Sequence, residues 1–280
     1  MGTNRQWIHA FPDRVEVYAE PPLHLFVLRQ RDPAYVVAAE LGGILEDDHW
    51  ETEITVEPGA QLVVVQQAAT KIFSMPDGSG RHDRRIHVKD HATLVMVPGL
   101  FIPFKDANYS QTMVCTVGER SRLMTGEQIV AGRIASGEAF GFQSFSSTVT
   151  VHQDGALWPS YHSRQVFEPA RVRLQQQGYW GSFQAWGELL AVGWKANGVT
   201  TALPQADILP GPYGDNPLAK RQENQEIYWG ASPIAGGMLW RMLADDGATV
   251  ERHLIAVMKR VAWPEMGEPF MLLGQGGQWQ

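Results

Sequence analysis

Apolar and polar residues alternate through Ile54 and Val56, break at Glu57-Pro58-Gly59-Ala60, and resume as a β-branched run from Leu62 to Val65. Alternation marks a half-buried strand, and a β-branched run without helical spacing also reads as a strand. Pro58 presets φ and Gly59 can take φ > 0, so Ile54–Phe73 predicts a hairpin. Four positions describe it: an apolar residue, another two on, a small one six on and a Leu eight on. Ile54, Val56, Ala60 and Leu62 fit, as do Ile86, Val88, Ala92 and Leu94. So do Cys115, Val117, Ser121 and Leu123, and then Val149, Val151, Gly155 and Leu157, with starts 32, 29 and 34 residues apart. Spacing this even predicts stacked supersecondary units, because one unit cannot cover its own apolar face. The expected fold is mainly β, a helically wound stack of hairpins of the β-helix or solenoid kind.

Before this stack, Val15–Tyr18, Leu23–Leu28 and Tyr35–Ala39 read as strands cut by Pro21-Pro22 and Asp32-Pro33. After it, Trp180–Trp194 and Ile234–Leu243 read as strands, separated by a long irregular connection at Pro204–Pro217 and a short polar helix at Leu218–Glu226. The last element is an amphipathic helix. Asp245 or Asp246 caps it, Val250, Leu254, Val257, Met258 and Val261 share one face, and Pro264 stops it. One β domain over residues 1–280 is expected, with its core at about 14–265 and a loose tail over 266–280.

Composition narrows the function. A net charge of −7 argues against a nucleic-acid scaffold. Cys115 is the one cysteine, which excludes an intrachain disulfide and a thiolate-rich zinc site. No run is long enough for a membrane span or placed as a secretory core, so a cytoplasmic protein is expected.

Several polar stretches invite chemistry. Gly42-Gly43 marks a tight turn or close backbone approach, and Glu46-Asp47-Asp48 follows it. Such a run can bind a cation but reads first as a solvated turn. His82, His87 and His91 lie among basic residues, where strand spacing sets no two of them on one metal; they read as a solvated edge. Pro98–Phe104 reads as a buried corner or a sticky surface. Gly126-Glu127 and Gly137-Glu138 pair a carboxylate with a glycine, and Arg133 lies between them. In a β interior these carboxylates need partners or water; the alternative reading is exposed loop charges.

In order and spacing the chain resembles the urease accessory protein UreD (UreH) family over roughly residues 35–265. The resemblance rests on Gly42-Gly43-Ile44-Leu45 with Asp48, Pro58-Gly59-Ala60 and Gln67–Phe73. It rests also on Ile102-Pro103-Phe104 with Ala107 and Gln111, Gly132-Arg133 with Gly137–Phe140, Gly230–Arg241, and the last helix. Leu41 stands where the family usually has Pro, and Glu46-Asp47-Asp48 where it usually has Gly-Gly-Asp.

The resemblance implies a wound β fold with a couple of helices and no enzymatic activity. It implies that the chain binds apo-urease and, through a UreF-like helical protein and a UreG-like GTPase, delivers Ni²⁺ along a polar internal passage. No cofactor stays bound; Ni²⁺ is in transit. Matched positions would line the route at Asp48, Thr70, Glu127 and Glu138, with Glu46 and Asp47 near an entrance and Lys71 and Arg133 orienting carboxylates. Segment Leu100–Phe104, the 204–217 loop and the last helix are candidate partner surfaces. Two other readings compete. One is a carbohydrate-active solenoid using Glu127 and Glu138 as its carboxyl pair, which needs an open cleft. The other is an interaction module of a different assembly.

Overall fold

The computed structural model describes residues 2–31, 33–194 and 227–266. Its strands run β1 (Thr3–Ala10), β2 (Val15–Ala19), β3 (Leu23–Arg29), β4 (Ala34–Glu40), β5 (His49–Val56) and β6 (Gln61–Gln66). They continue as β7 (Thr70–Ile72), β8 (Gly80–Val88), β9 (Thr93–Met96), β10 (Leu100–Pro103), β11 (Asn108–Val117) and β12 (Arg122–Val130). The last are β13 (Ser144–Gln153), β14 (Pro159–Phe167), β15 (Ala185–Val192), β16 (Ile227–Ile234) and β17 (Gly237–Ala244), before helix α1 (Gly247–Met266).

The stack is present, and its register follows the repeat. Ile54 pairs with Ile86, Ile86 with Cys115, Leu62 with Leu94 and Leu94 with Leu123, all in parallel ladders. What differs is the pairing inside each unit. Strands β5, β8 and β11 belong to one sheet, ordered β14-β13-β11-β8-β5-β1-β2. Their followers β6, β9 and β12 belong to a second, ordered β16-β17-β15-β12-β9-β6-β4-β3. Each of these turns, at 57–60, 89–92 and 118–121, therefore carries the chain from one sheet to the facing one, and each strand pairs with the next coil, not with its own neighbour. The reason is that both arms of a unit turn apolar residues to the same interior: Ile54, Val56, Leu62 and Val64 are all buried in one cluster. Two facing sheets bury both sets against each other, whereas a hairpin within one sheet would leave their shared face in need of another cover.

The fourth unit departs further. Cys115 pairs with Val151, two residues on from Val149, and β14 folds back antiparallel on β13 within the same sheet. That unit is a true hairpin, and Leu157 at its tip is exposed. A short third ladder, β7 with β10 in parallel, closes the coils, and β10 also pairs with β12. Here Pro98–Phe104 is the buried corner, with Phe101 in the core.

The double glycine behaves as its composition suggests. Gly42 and Gly43 have φ of 97° and 77°, and a Cβ on Gly43 would strike the Lys71 carbonyl and the Phe73 ring. Helix α1 covers the outer face of the second sheet. Val250, Leu254, Val257, Met258 and Val261 pack with Val63, Val95, Met124, Leu189 and Trp240. Gly187 allows this approach, since a Cβ there would run into Val250. Strand β15 is consequently buried on both faces.

Asp246 is the cap: its Oδ1 accepts the Thr249 backbone N–H at 2.7 Å. Asp246→Ala should lower stability by about 1 kcal/mol, read as a shifted urea midpoint with unchanged slope. Pro264 does not end the helix, which runs two residues further, to Met266. Proline removes one i→i−4 hydrogen bond and crowds the carbonyl four residues back, which distorts the ladder at that point without having to end the helix. The 204–217 connection, the helix expected at 218–226 and the tail beyond 266 lie outside the described residues.

Candidate functional site

The interior between the sheets is apolar at both ends and polar in the middle. One end is the cluster of Ile8, Ile54, Ile86, Cys115 and their neighbours. The other is aromatic: Trp50, Phe101, Tyr109, Phe145, Phe167 and Trp186. Between them the ladders set polar residues in rows. On the first sheet Gln6 pairs with Thr52 and Thr52 with Arg84, while His82 pairs with Gln111 and Gln111 with Ser147. On the second, Glu127 pairs with Glu188 and Glu188 with Arg241. On the first sheet parallel stacking produces the rows, because one position of the coil repeats at the same depth in each turn, whereas the row on the second sheet crosses antiparallel strands.

The layer is built from three groups, the first of them made of two separate hydrogen-bonded sets. In the first, Gln66 Nε2 donates to Glu40 Oε2 at 2.9 Å and to Thr70 Oγ1, and Thr70 donates to the same Glu40 oxygen. Beside it, Gln6 Nε2 donates to Thr52 Oγ1 at 2.9 Å, and His82 Nε2 meets that oxygen at 2.7 Å. Arg84 Nη2 lies 3.2 Å from His82 Nδ1. A guanidinium only donates, so Nδ1 accepts and the proton sits on Nε2. Burial holds His82 well below the ordinary imidazole range, so it is neutral with both nitrogens engaged. A cavity of about 60 Å³ lies between these two sets, lined among others by Glu40, Gln66, Thr52, His82 and Arg84. That is room for ordered water among polar partners.

In the second group, Gln111 Nε2 and Ser147 Oγ both donate to Glu127 Oε2, the latter at 2.8 Å. Burial, and then the Glu188 charge, push Glu127 up to about 7 against these two hydrogen bonds. The third group centres on Glu188, which is 5% exposed. Tyr161 donates to its Oε1 at 3.2 Å and Arg241 Nε to its Oε2 at 2.6 Å, while Arg241 Nη2 reaches Ser163 Oγ at 3.1 Å. Arg241 also lines an open cleft of about 670 Å³, walled by Phe167, Trp180, Trp186 and Tyr228.

The residues marked in the sequence divide between this layer and the surface. Thr70 and Glu127 lie in the layer, buried. Asp48 does not: its Oδ2 accepts the Leu45 N–H at 2.8 Å and closes a surface turn. Glu46 takes the Asp77 N–H at 2.9 Å, and Asp47 is exposed with φ 65°. Glu138 is bound by Arg133, whose Nε donates at 2.8 Å, so Arg133 orients a carboxylate, but at the rim. The Lys71 side chain is exposed. His82 corrects the solvated-edge reading: it is 1% exposed, whereas His87 and His91 are exposed.

Glu40, Arg84, Ser147, Glu188 and Arg241 were not singled out from sequence, although a lone acid in the apolar run of β15 is a signal for Glu188. Among the described residues no three His, Cys, Asp or Glu gather at one point. Cys115 stays out of the layer, in the apolar end, with its thiol pushed up to about 12 by burial. A glycosidase pair is not formed either. Glu127 is sealed inside, Glu138 is tied to Arg133, and neither lines the cavity or the cleft. Segment Leu100–Phe104 and the apolar face of α1 are occupied in core packing.

Fold and layer together define the class: a coil-stacked, mainly β protein carrying a band of ionisable groups through its interior. The family model for the UreD urease accessory protein matches residues 15–272. Urease accessory protein UreD 2 of Brucella canis (strain ATCC 23365 / NCTC 10854 / RM-666) is 30% identical over 223 residues, 78% of this chain and 69% of that protein. Urease accessory protein UreD of Mycolicibacterium gilvum (strain PYR-GCK) is 30% identical over 159 residues, 57% of this chain and 56% of its own length. Urease accessory protein UreH of Helicobacter hepaticus (strain ATCC 51449 / 3B1) is 27% identical over 162, covering 57% and 64%. The chain belongs to the UreD urease accessory protein family. No described helix is long and apolar enough to cross a membrane.

Proposed function

We propose that this chain is a cytoplasmic maturation scaffold that binds apo-urease together with a UreF-like helical protein and a UreG-like GTPase. Ni²⁺, its cargo, passes through the polar layer to the urease active site. The observation that carries the reading is the layer itself: carboxylates, amides and hydroxyls in three groups, around Glu40, Gln66 and Thr70, around Glu127, and around Glu188, whose partner Arg241 lines the cleft.

The donor chemistry supports transit over storage. Nitrogen and thiolate ligands hold Ni²⁺ tightly and oxygen ligands loosely. A conducting route needs several weak sites. Here the imidazole of His82 has both nitrogens engaged and the thiol of Cys115 lies off the layer. Oxygens of Glu40, Thr70, Glu127 and Glu188 remain as stepping points. Asp48, Glu46 and Glu138 are held at the surface by the Leu45 N–H, the Asp77 N–H and Arg133, so this reading places the interior route on the buried oxygens and leaves the 46–48 turn as an entrance.

Complementation tests the role. A urease gene cluster lacking its own UreD should regain nickel-dependent activity when this chain is supplied, with the helper proteins co-purifying. Co-purification without recovered activity would remove the nickel role and leave an assembly module.

A further inference from the structure

We propose that Arg241 is the latch of the cleft end of this layer: its guanidinium occupies the position a divalent cation takes when it reaches Glu127 and Glu188. The inference rests on the passage reading above.

Three observations carry it. First, Glu127 and Glu188 sit directly opposite each other on β12 and β15, both buried, with one positive group, Arg241, bonded to Glu188. Two facing carboxylates in a low-dielectric interior need a cation or a proton between them. Second, Arg241 is unequally placed. Its side chain is 44% exposed while Glu188 is 5% exposed, and Arg241 belongs both to the layer and to the open cleft. Third, the residue beside it has no side chain. Arg241 pairs with Gly230 on β16, and a Cβ built on Gly230 would meet nothing within 4 Å. The guanidinium therefore has space to swing from Glu188 into the cleft, losing its bonds to Glu188 and Ser163 and gaining water. Seated, it repels an arriving dication; swung out, it uncovers oxygen ligands on Glu188 next to Glu127. Exchange of one cation for another lets the ion arrive and leave without a bare carboxylate pair in the interior. Arg241 acts through Glu188 and is a positioning residue, not a ligand.

The test is a titration of the full chain with Ni²⁺ alone, using wild type, Arg241→Met, Arg241→Lys and the Glu127→Gln/Arg241→Met double variant. Arg241→Met should bind Ni²⁺ on the order of tenfold tighter or more, because an interior positive charge has gone. Arg241→Lys should return to wild-type binding, and the double variant should lose the gain. Nickel should raise the melting temperature of Arg241→Met more than that of wild type. Ser163→Ala, which leaves every charge in place and removes one latch bond, should shift binding the same way by a smaller factor. That variant keeps the test decisive if Arg241→Met folds poorly.

Wild-type affinity in both Arg241→Met and Ser163→Ala overturns the latch. Urease activation by Glu127→Gln at the wild-type rate instead overturns the passage. Loss of activation in Glu127→Gln with no change of nickel binding in Arg241→Met leaves the passage standing and removes the latch alone.

Discussion

Arg241→Met lowers stability by about 3 kcal/mol at pH 8, whereas Glu188→Gln costs under about 1 kcal/mol. The two halves of one ion pair differ because their exposures differ. Breaking a buried pair is expensive through the charge left behind, typically about 3–5 kcal/mol. Without Arg241, that charge is Glu188, which is 5% exposed, next to Glu127 and unable to reach water. Without the Glu188 charge, Arg241 is left, and at 44% exposure it turns into the cleft. The figure for Arg241→Met is taken at the low end because that half-exposed partner is already screened. Urea melts of both variants at pH 8 read the difference; equal losses would mean that the pair is not seated as described.

Glu127→Gln removes a pH dependence. Burial raises the folded pKa of Glu127 from 4.5 to about 7, so the folded state binds this proton more tightly than the unfolded chain does. The stability so gained is complete below the unfolded value and is lost as pH climbs through about 7. The span is worth about 3 kcal/mol at 1.36 kcal/mol per unit. Burial raises the Glu40 pKa too, so the same sign applies there. Wild type should therefore lose stability between about pH 4.5 and pH 7, and Glu127→Gln should be flatter by about that amount. Gln at 127 keeps an oxygen to accept from Gln111 and Ser147, which separates the charge effect from lost hydrogen bonds. Parallel stability–pH curves for the two proteins would contradict the burial of this carboxylate.

Legibility in the sequence follows from how local each feature is. The repeat was readable because Ile54, Ile86 and Cys115, and Leu62, Leu94 and Leu123, are true ladder partners. The helix was readable because its apolar face and the Asp246 cap are encoded within a few turns. Pairing inside a unit was not, because a Pro-Gly turn serves a hairpin and a sheet-to-sheet crossing alike.

The polar layer was legible only in fragments. Taken singly, Thr52, His82 and Gln111 look like residues of solvated strands. Stacked, His82 and Gln111 fall four positions before the apolar markers of successive coils and pair directly, with Thr52 one row nearer its marker, and only that alignment shows the layer. Glu127 was marked because it follows a glycine, while Glu188 and Arg241 meet it through strands 60 and more residues further along the sequence. Asp48 and Glu138 mark the opposite case: matched positions whose carboxylates are used by a turn and by Arg133.

The central claim, that nickel travels by the interior layer, is met most directly by transfer rates in the assembled urease complex. Two sets of variants are compared, each shown to assemble: Glu127→Gln and Thr70→Val inside, Asp48→Asn and Glu138→Gln at the surface. The account predicts that nickel incorporation into urease collapses in the interior set and stays near wild type in the surface set. Wild-type incorporation in the interior set, or a collapse confined to the surface set, would contradict it.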